Sequence, residues 1–381
     1  MSRITQRISQ RISKRILVVC PHPENVAPGQ RLKYEQYFGH WRAHGYEVVV
    51  SPFMSRRFQR IVYQPGRLLE KVFWTLWGYL RRIRDLLRAP FYDGAYIFLW
   101  VTPFGPPVFE WLYHLALRRF VYDIDDMVFL GHASSANSFV KILKGRRKMV
   151  YLMRKAEHVI VCTPTLEEFV KRHNNRTTDI SSTIDTDTYI PANPYANDRL
   201  LTLGWSGSLS TAKYLHLLDQ VLLDLSAEID FSLKVIGDPD FEIEGLDVSA
   251  TAWNESAEVK ELQDIDIGLY PLPDDDWVLG KSGLKALQYM ALGIPTVATR
   301  IGANTRIIRD GENGFLVNSP GEWKAAILEL AADPELRRRV GLEAARTVVE
   351  RFSLRANQDI YLKVLDGVFR REKGSDREGE A

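Results

Sequence analysis

Cysteine is almost absent from this chain: Cys20 and Cys162 are the two that its 381 residues contain. Each follows an aliphatic run that reads as a buried strand, so a disulfide framework is excluded and a reducing compartment fits. Long apolar runs are missing too. Nothing approaches the roughly 20 residues that span a bilayer, and residues 16–20 are too few for a signal-peptide core, so the expected location is the cytoplasm. Neither sign of charge dominates, with 50 Lys and Arg against 48 Asp and Glu, and no groove-reading motif is present, so no nucleic-acid partner is expected. No Gly-x-Gly-x-x-Gly follows a first strand in either half, which argues against a dehydrogenase, and no Gly-Lys-Ser/Thr closes a Walker loop.

What is present is an ordinary globular composition, 45% hydrophobic and 26% charged, in a chain long enough for about two domains. Segments that read as strands fall at 16–20, 46–51, 95–101, 120–124 and 158–162, then at 201–205, 231–236, 248–253, 265–270 and 296–298, with helical patterns between them. Two successive β/α arrays joined by a Pro/Asn-rich linker at 192–199 imply an α/β chain of two doubly wound, Rossmann-like domains facing a cleft. The expected parts are a basic tail at 1–15, a domain at 16–195, a second domain at 196–351, and a polar, disordered tail at 372–381.

Local charge is more telling than the total. Arg3, Arg7, Arg11 and Arg15 recur every four residues beside Ile4, Ile8, Ile12 and Ile16, a pattern open to two readings: a weak anchor on an anionic membrane, or a frayed tail. Residues 56–88 hold nine Arg and Lys against two acids, a net of 9 − 2 = +7. Within them Leu69, Val72, Phe73, Leu76, Leu80, Ile83 and Leu87 keep helical spacing, with Trp74, Trp77 and Tyr79 around them. Either this is an interfacial membrane helix, or its apolar stripe packs on the domain's own sheet and leaves the arginines solvated.

Several loops at strand ends could meet a ligand. Gly29 and Arg31 lie in the first βα turn, where glycine permits close backbone approach and arginine can pair with a phosphate or carboxylate. Asp123, Asp125 and Asp126 crowd the end of the fourth strand. One of them could contact a sugar hydroxyl, an Asp-x-Asp pair could hold a divalent metal, or one could cap a helix. The strand at 201–205 runs into Gly207, Ser208 and Lys213, a small-residue loop before a helix, and Trp253 ends a later strand. A helix opening at Gly280, Lys281, Ser282 and Gly283, with Lys285 and Gln288 one and two turns in, suits an anionic phosphate or serves as an ordinary crossover.

The segments APGQRLKYEQYF, VYDIDD, GWSGSLSTAKYL, VIGDP and GKSGLKALQYMALGIPTVATRIGANTRIIRDGENGFLV together resemble the group 1 (family 4) retaining glycosyltransferases of the GT-B fold over about residues 16–371. The first three resemble a bacterial polysaccharide-type subgroup in which Asp-Ile-Asp-Asp replaces a histidine-bearing turn. The resemblance implies a helix at about 352–371 returning to the first domain, and a nucleotide-diphosphate sugar as donor substrate with no tightly bound cofactor or metal. It implies a glycan or lipid-linked acceptor and work at the inner face of an anionic membrane. Gly29 and Arg31 match the loop facing donor phosphates and acceptor. Lys213 matches the lysine that neutralises the leaving diphosphate, while Ser208 stands in place of its partner arginine. Of the family's two glutamates, Gly280 replaces the first and Gln288 the second, which bonds ribose. Lys281, Ser282, Gly283 and Lys285 are assigned with Gly207 and Trp253 to the nucleotide-sugar donor, Lys281 and Lys285 to its phosphates, and Asp125 to the donor sugar or acceptor. Asp274, Asp275 and Asp276 are candidates for the sugar hydroxyls left without a glutamate. The competing functions are a sugar-nucleotide epimerase or hydrolase on the same fold, or a degenerate scaffold at a membrane.

Overall fold

The computed structural model of the chain describes residues 13–62, 64, 66–125, 146–191 and 200–370. The repeats before residue 13, Asp126, the 192–199 linker and the terminal tail lie outside them. Two compact units form. One takes the chain up to Ser181 together with the segment from Gln358, and the other runs from Ser182 to Asn357. The division precedes the linker expected at 192–199 because Ile184 and Tyr189 already belong to the second unit's core.

In the first unit the described strands are β1 (Lys14–Cys20), β2 (Tyr46–Pro52), β3 (Gly94–Phe98), β4 (Phe120–Asp123), β5 (His158–Val161) and β6 (Thr177–Asp179). They form one parallel sheet in the order β2-β1-β3-β4-β5-β6. Helices cover both faces, which is why Ile16 to Cys20 are all fully buried and read as an unbroken apolar run. The helix Leu354–Phe369 crosses back to this unit. Its Tyr361 ring packs on Tyr37 at 4.5 Å, and Asp366 accepts a hydrogen bond from the Tyr46 hydroxyl at 2.6 Å.

Between β1 and β2 the chain forms a four-residue helix at Pro28–Arg31 and a short helix at Phe38–Ala43 in place of one continuous helix. Leu32, Lys33, Tyr34 and Glu35 are all buried, and a helix can bury only one stripe of its surface.

The helix Leu68–Leu87 does not pack its apolar stripe on the domain's own sheet. Its apolar stripe faces outward, with Leu69 86%, Leu76 59%, Leu80 56% and Leu87 76% exposed, while Arg82 is 0% exposed. The reason lies at the sheet's carboxyl edge. The Arg82 guanidinium donates to the carbonyls of Cys20 (3.0 Å), Ser51 (2.9 Å) and Val101 (2.7 Å), gathering chain from three strand ends. Asp85, one turn on, pairs with it at 3.3 Å and accepts from the Ser51 hydroxyl. Both polar side chains are thereby satisfied in the interior, as buried charge requires. Trp74 turns inward beside Phe53 and Phe58, whereas Trp77 is exposed.

The second unit contains β7 (Leu201–Ser206), β8 (Phe231–Ile236), β9 (Val248–Thr251), β10 (Ile267–Tyr270), β11 (Thr296–Thr299) and β12 (Phe315–Val317). Its parallel order is β12-β11-β10-β7-β8-β9. The chain steps outward from β7 through β8 and β9, then returns to the other side of β7 as β10. The loops after β7 and β10 therefore diverge at a topological switch point, the position where open α/β sheets bind ligands.

Candidate functional site

In the first unit, the turn after β1 meets the end of β4. A Cβ at Gly29 would stand 2.8 Å from Asp125 Oδ2, so glycine is what lets this carboxylate lie against the backbone two residues before Arg31. The loop is stapled by residues with no motif to announce them. The buried Gln30 accepts from His22 N–H at 2.9 Å and donates to Glu35 Oε1 at 2.8 Å, and Glu35 Oε2 accepts from Asn25 N–H at 2.9 Å. Burial pushes the Glu35 carboxyl above the usual range.

The Asp123-Asp125 crowding resolves into two separate roles. Asp123 is fully buried and structural, paired with the buried Lys33 and accepting from the Tyr96 hydroxyl. Burial raises its carboxyl pKa against the opposing pull of Lys33. Asp125 is partly exposed, and its carbonyl accepts from the Cys162 thiol at 2.9 Å. Among the described residues no group of three or more His, Cys, Asp or Glu side chains is placed to hold a metal.

In the second unit, the loops after β7 and β10 bring together lysines far apart in sequence. Gly207 N–H donates to Ile236 O at 2.9 Å, and a Cβ there would strike the Trp205 ring at 2.1 Å. Ser208 then caps the short helix Leu209–Ala212 in a box with Thr211. Lys213 follows, exposed, its ammonium 5.4 Å from the Tyr214 ring. Tyr214 packs on Trp277 at 6.0 Å, and Lys281 Nζ stands 4.4 Å from the Trp277 ring. Two cations are thus held on two touching rings, an arrangement that orders them.

The helix expected to open at Gly280 to Gly283 begins at Leu284, because Gly283 is left-handed at φ 72° and serves as its cap. Lys281 and Ser282 lie in the approach to it, and Ser282 shares a 2.7 Å hydrogen bond with Ser182. Lys285, inside the first turn, donates to Ser206 Oγ at 3.3 Å and to Gln288 Oε1 at 3.0 Å, tying the helix after β10 to the end of β7.

Gln288, expected to reach ribose hydroxyls, is buried and engaged within the protein on every side. Besides accepting from Lys285, it donates to the Tyr189 hydroxyl at 2.9 Å and to Glu258 Oε1 at 3.0 Å. Glu258 also accepts from the Tyr189 hydroxyl at 2.8 Å and from Trp253 Nε1 at 2.9 Å. Here Gln288 positions Lys285 and, through Glu258, Trp253. Glu258 also explains the amide: a glutamate at 288 would set two carboxylates about 3 Å apart, and one would have to keep a proton. Gln288→Glu should therefore destabilise the second unit increasingly as pH rises above the ordinary carboxylate range near 4.3. The proton shared in the folded state is released on unfolding at higher pH. Urea unfolding at pH 5 and pH 8 checks this, and an equal difference from the parent at both would refute it.

Asp274, Asp275 and Asp276 are exposed on the loop after β10, where Asp275 accepts from Trp277 Nε1 at 3.3 Å. A separate groove of about 840 Å³ lies elsewhere in this unit, lined in part by Arg309, Glu343 and Arg346. None of the residues above lines it, and both of those arginines pair with Glu343.

Comparison with known proteins bears on this second unit directly. The family described as Glycosyl transferases group 1 matches residues 201–333. A D-inositol 3-phosphate glycosyltransferase of Streptomyces bingchenggensis is 35% identical over 91 residues, 22% of this chain and 20% of that protein. An uncharacterized glycosyltransferase of Methanocaldococcus jannaschii is 30% identical over 147 residues, 35% of this chain and 40% of that protein. The chain thus spans less than half the length of these relatives. Sucrose-phosphate synthase of Thermosynechococcus elongatus has a similar structure, with a TM-score of 0.67 at 18% identity over 93% of this chain and 100% of that one. HepE of Anabaena in complex with UDP-glucose gives 0.66 at 16% identity, again over 93% and 100%. The fold is therefore GT-B, with two Rossmann-like α/β units, and residues 201–333 are the region that aligns with the group 1 glycosyl transferases.

Proposed function

We propose that the chain is a retaining glycosyltransferase that moves a sugar from a nucleotide-diphosphate donor to a hydroxyl of a glycan or lipid-linked acceptor, in cell-surface polysaccharide synthesis at the cytoplasmic face of the membrane. The observation that carries this reading is the lysine group of the second unit: Lys213 and Lys281 on the Tyr214 and Trp277 rings, and Lys285 at the first turn of the helix at the switch point. Negative charge grows on the diphosphate as the glycosidic bond breaks, and fixed cations and a helix N-terminus stabilise that charge more in the transition state than in the ground state. Trp253 offers a flat indole for the base, held by Glu258. In the first unit Asp125, Gly29 and Arg31 form the polar surface assigned to the acceptor and the donor sugar. The UDP-glucose held by HepE supports the donor class.

Isothermal titration of the purified chain with UDP, GDP, ADP, TDP and CMP tests this. One or more of the nucleoside diphosphates should bind, and CMP, with a single phosphate, should bind more weakly than the best of them. A chain that binds none of the five overturns the reading.

A further inference from the structure

The outward stripe of the Leu68–Leu87 helix does not end with that helix. Tyr79, on its flank, packs against Phe109 at 5.4 Å and donates its hydroxyl to Phe104 O at 2.9 Å, so the neighbouring helix Val108–Leu117 lies alongside. That helix exposes Val108, Trp111 and Leu115, a helical stripe of its own, and Phe104 is exposed beside it. The result is a broad apolar surface about 30 Å long, the length of a 20-residue helix, and monomeric soluble proteins rarely leave so large a patch uncovered. Its far edge is basic. Arg84 and Arg88 are exposed at the end of the Leu68–Leu87 helix, and Arg67 is exposed where it begins. Of the helix's two acids, Asp85 is buried and paired with Arg82 and Arg84, and Glu70 is paired with Arg57 and Arg67. No unpaired acid on the helix opposes an anionic surface.

We infer that the Leu68–Leu87 and Val108–Leu117 helices together form a docking surface for an anionic lipid bilayer, which deepens the transferase reading by naming where it would meet a lipid-linked acceptor. Apolar side chains with wide aromatic rings enter the boundary between headgroups and acyl chains, and the rim arginines meet lipid phosphates. The Arg82 contacts make the surface rigid, since they hold the helix with its polar face inward. No helix among the described residues is long and apolar enough to cross a membrane, and none is needed for this mode of contact.

Sedimentation of the full chain with sucrose-loaded vesicles tests the surface, and it requires neither nucleotide nor turnover, so its failure and that of the transferase reading are distinguishable. Vesicles of mixed phosphatidylcholine and phosphatidylglycerol should carry down the chain, and pure phosphatidylcholine should bind about tenfold less. The Leu76→Ser, Leu80→Ser variant should lose about tenfold in partitioning with its circular dichroism and melting unchanged, because both side chains are exposed. Arg84→Gln with Arg88→Gln should remove most of the preference for anionic lipid. Undiminished binding by the serine variant would place any anchor elsewhere, in the basic residues before position 13 for example, and overturn the inference. So would absence of vesicle binding, or a dimer in sedimentation velocity that the serine pair dissolves, which would make a second copy the occupant.

Discussion

Replacing Arg82 by alanine is expected to cost the first unit about 3–5 kcal/mol, the range for breaking a buried ion pair from one side. The carbonyls of Cys20, Ser51 and Val101 lose a donor together, and Asp85 keeps only Arg84, Ser51 and Tyr113 as partners. Such a loss is a large fraction of the roughly 5–15 kcal/mol that holds a typical domain together. Calorimetry should show the transition of this unit moved down by roughly 6–20 °C, at about 2–4 °C per kcal/mol for a unit of this size. Lysine at 82 should recover little, because an ammonium cannot reproduce a planar fork that reaches three carbonyls. A shift of a degree or two would mean that the helix is held by its other contacts and that Arg82 is incidental.

Lys213→Ala should have the largest effect on turnover. If the lysine meets the departing diphosphate, its loss should lower kcat by about 10²–10³-fold, the cost of removing one preorganised donor from a site where charge develops. Its side chain is exposed, so the melting temperature should stay within the small range of ordinary surface substitutions. The separation of the two readouts is what makes the result informative. Turnover like that of the parent removes Lys213 from the site, and a fall in both would point to a structural role through Tyr214.

The alternating strand and helix pattern was legible because a parallel sheet covered on both faces leaves unbroken aliphatic runs, as at Ile16 to Cys20. The loops proposed to meet the donor and acceptor could be picked out for a similar reason, since they follow the carboxyl ends of those strands. The short β6 and β12 gave no such signal. Three residues each, they are strands by virtue of the neighbour they pair with.

Sequence alone thus determined the two β/α arrays and the glycine and lysine positions at strand ends, because these depend on local periodicity and turn chemistry. Tertiary structure decided three things that no local window contains. It separated Asp123 from Asp125, giving one to Lys33 and Tyr96 in the interior and leaving the other against Gly29. It surrounded Gln288 with Tyr189, Glu258 and Lys285, drawn from segments up to 99 residues away. And it set the apolar stripe of the Leu68–Leu87 helix outward. Amphipathicity identifies two faces of a helix but does not choose between them when an arginine on the polar face can satisfy carbonyls at the edge of a sheet. That choice belongs to the strands the helix lands on, and they lie elsewhere in the chain.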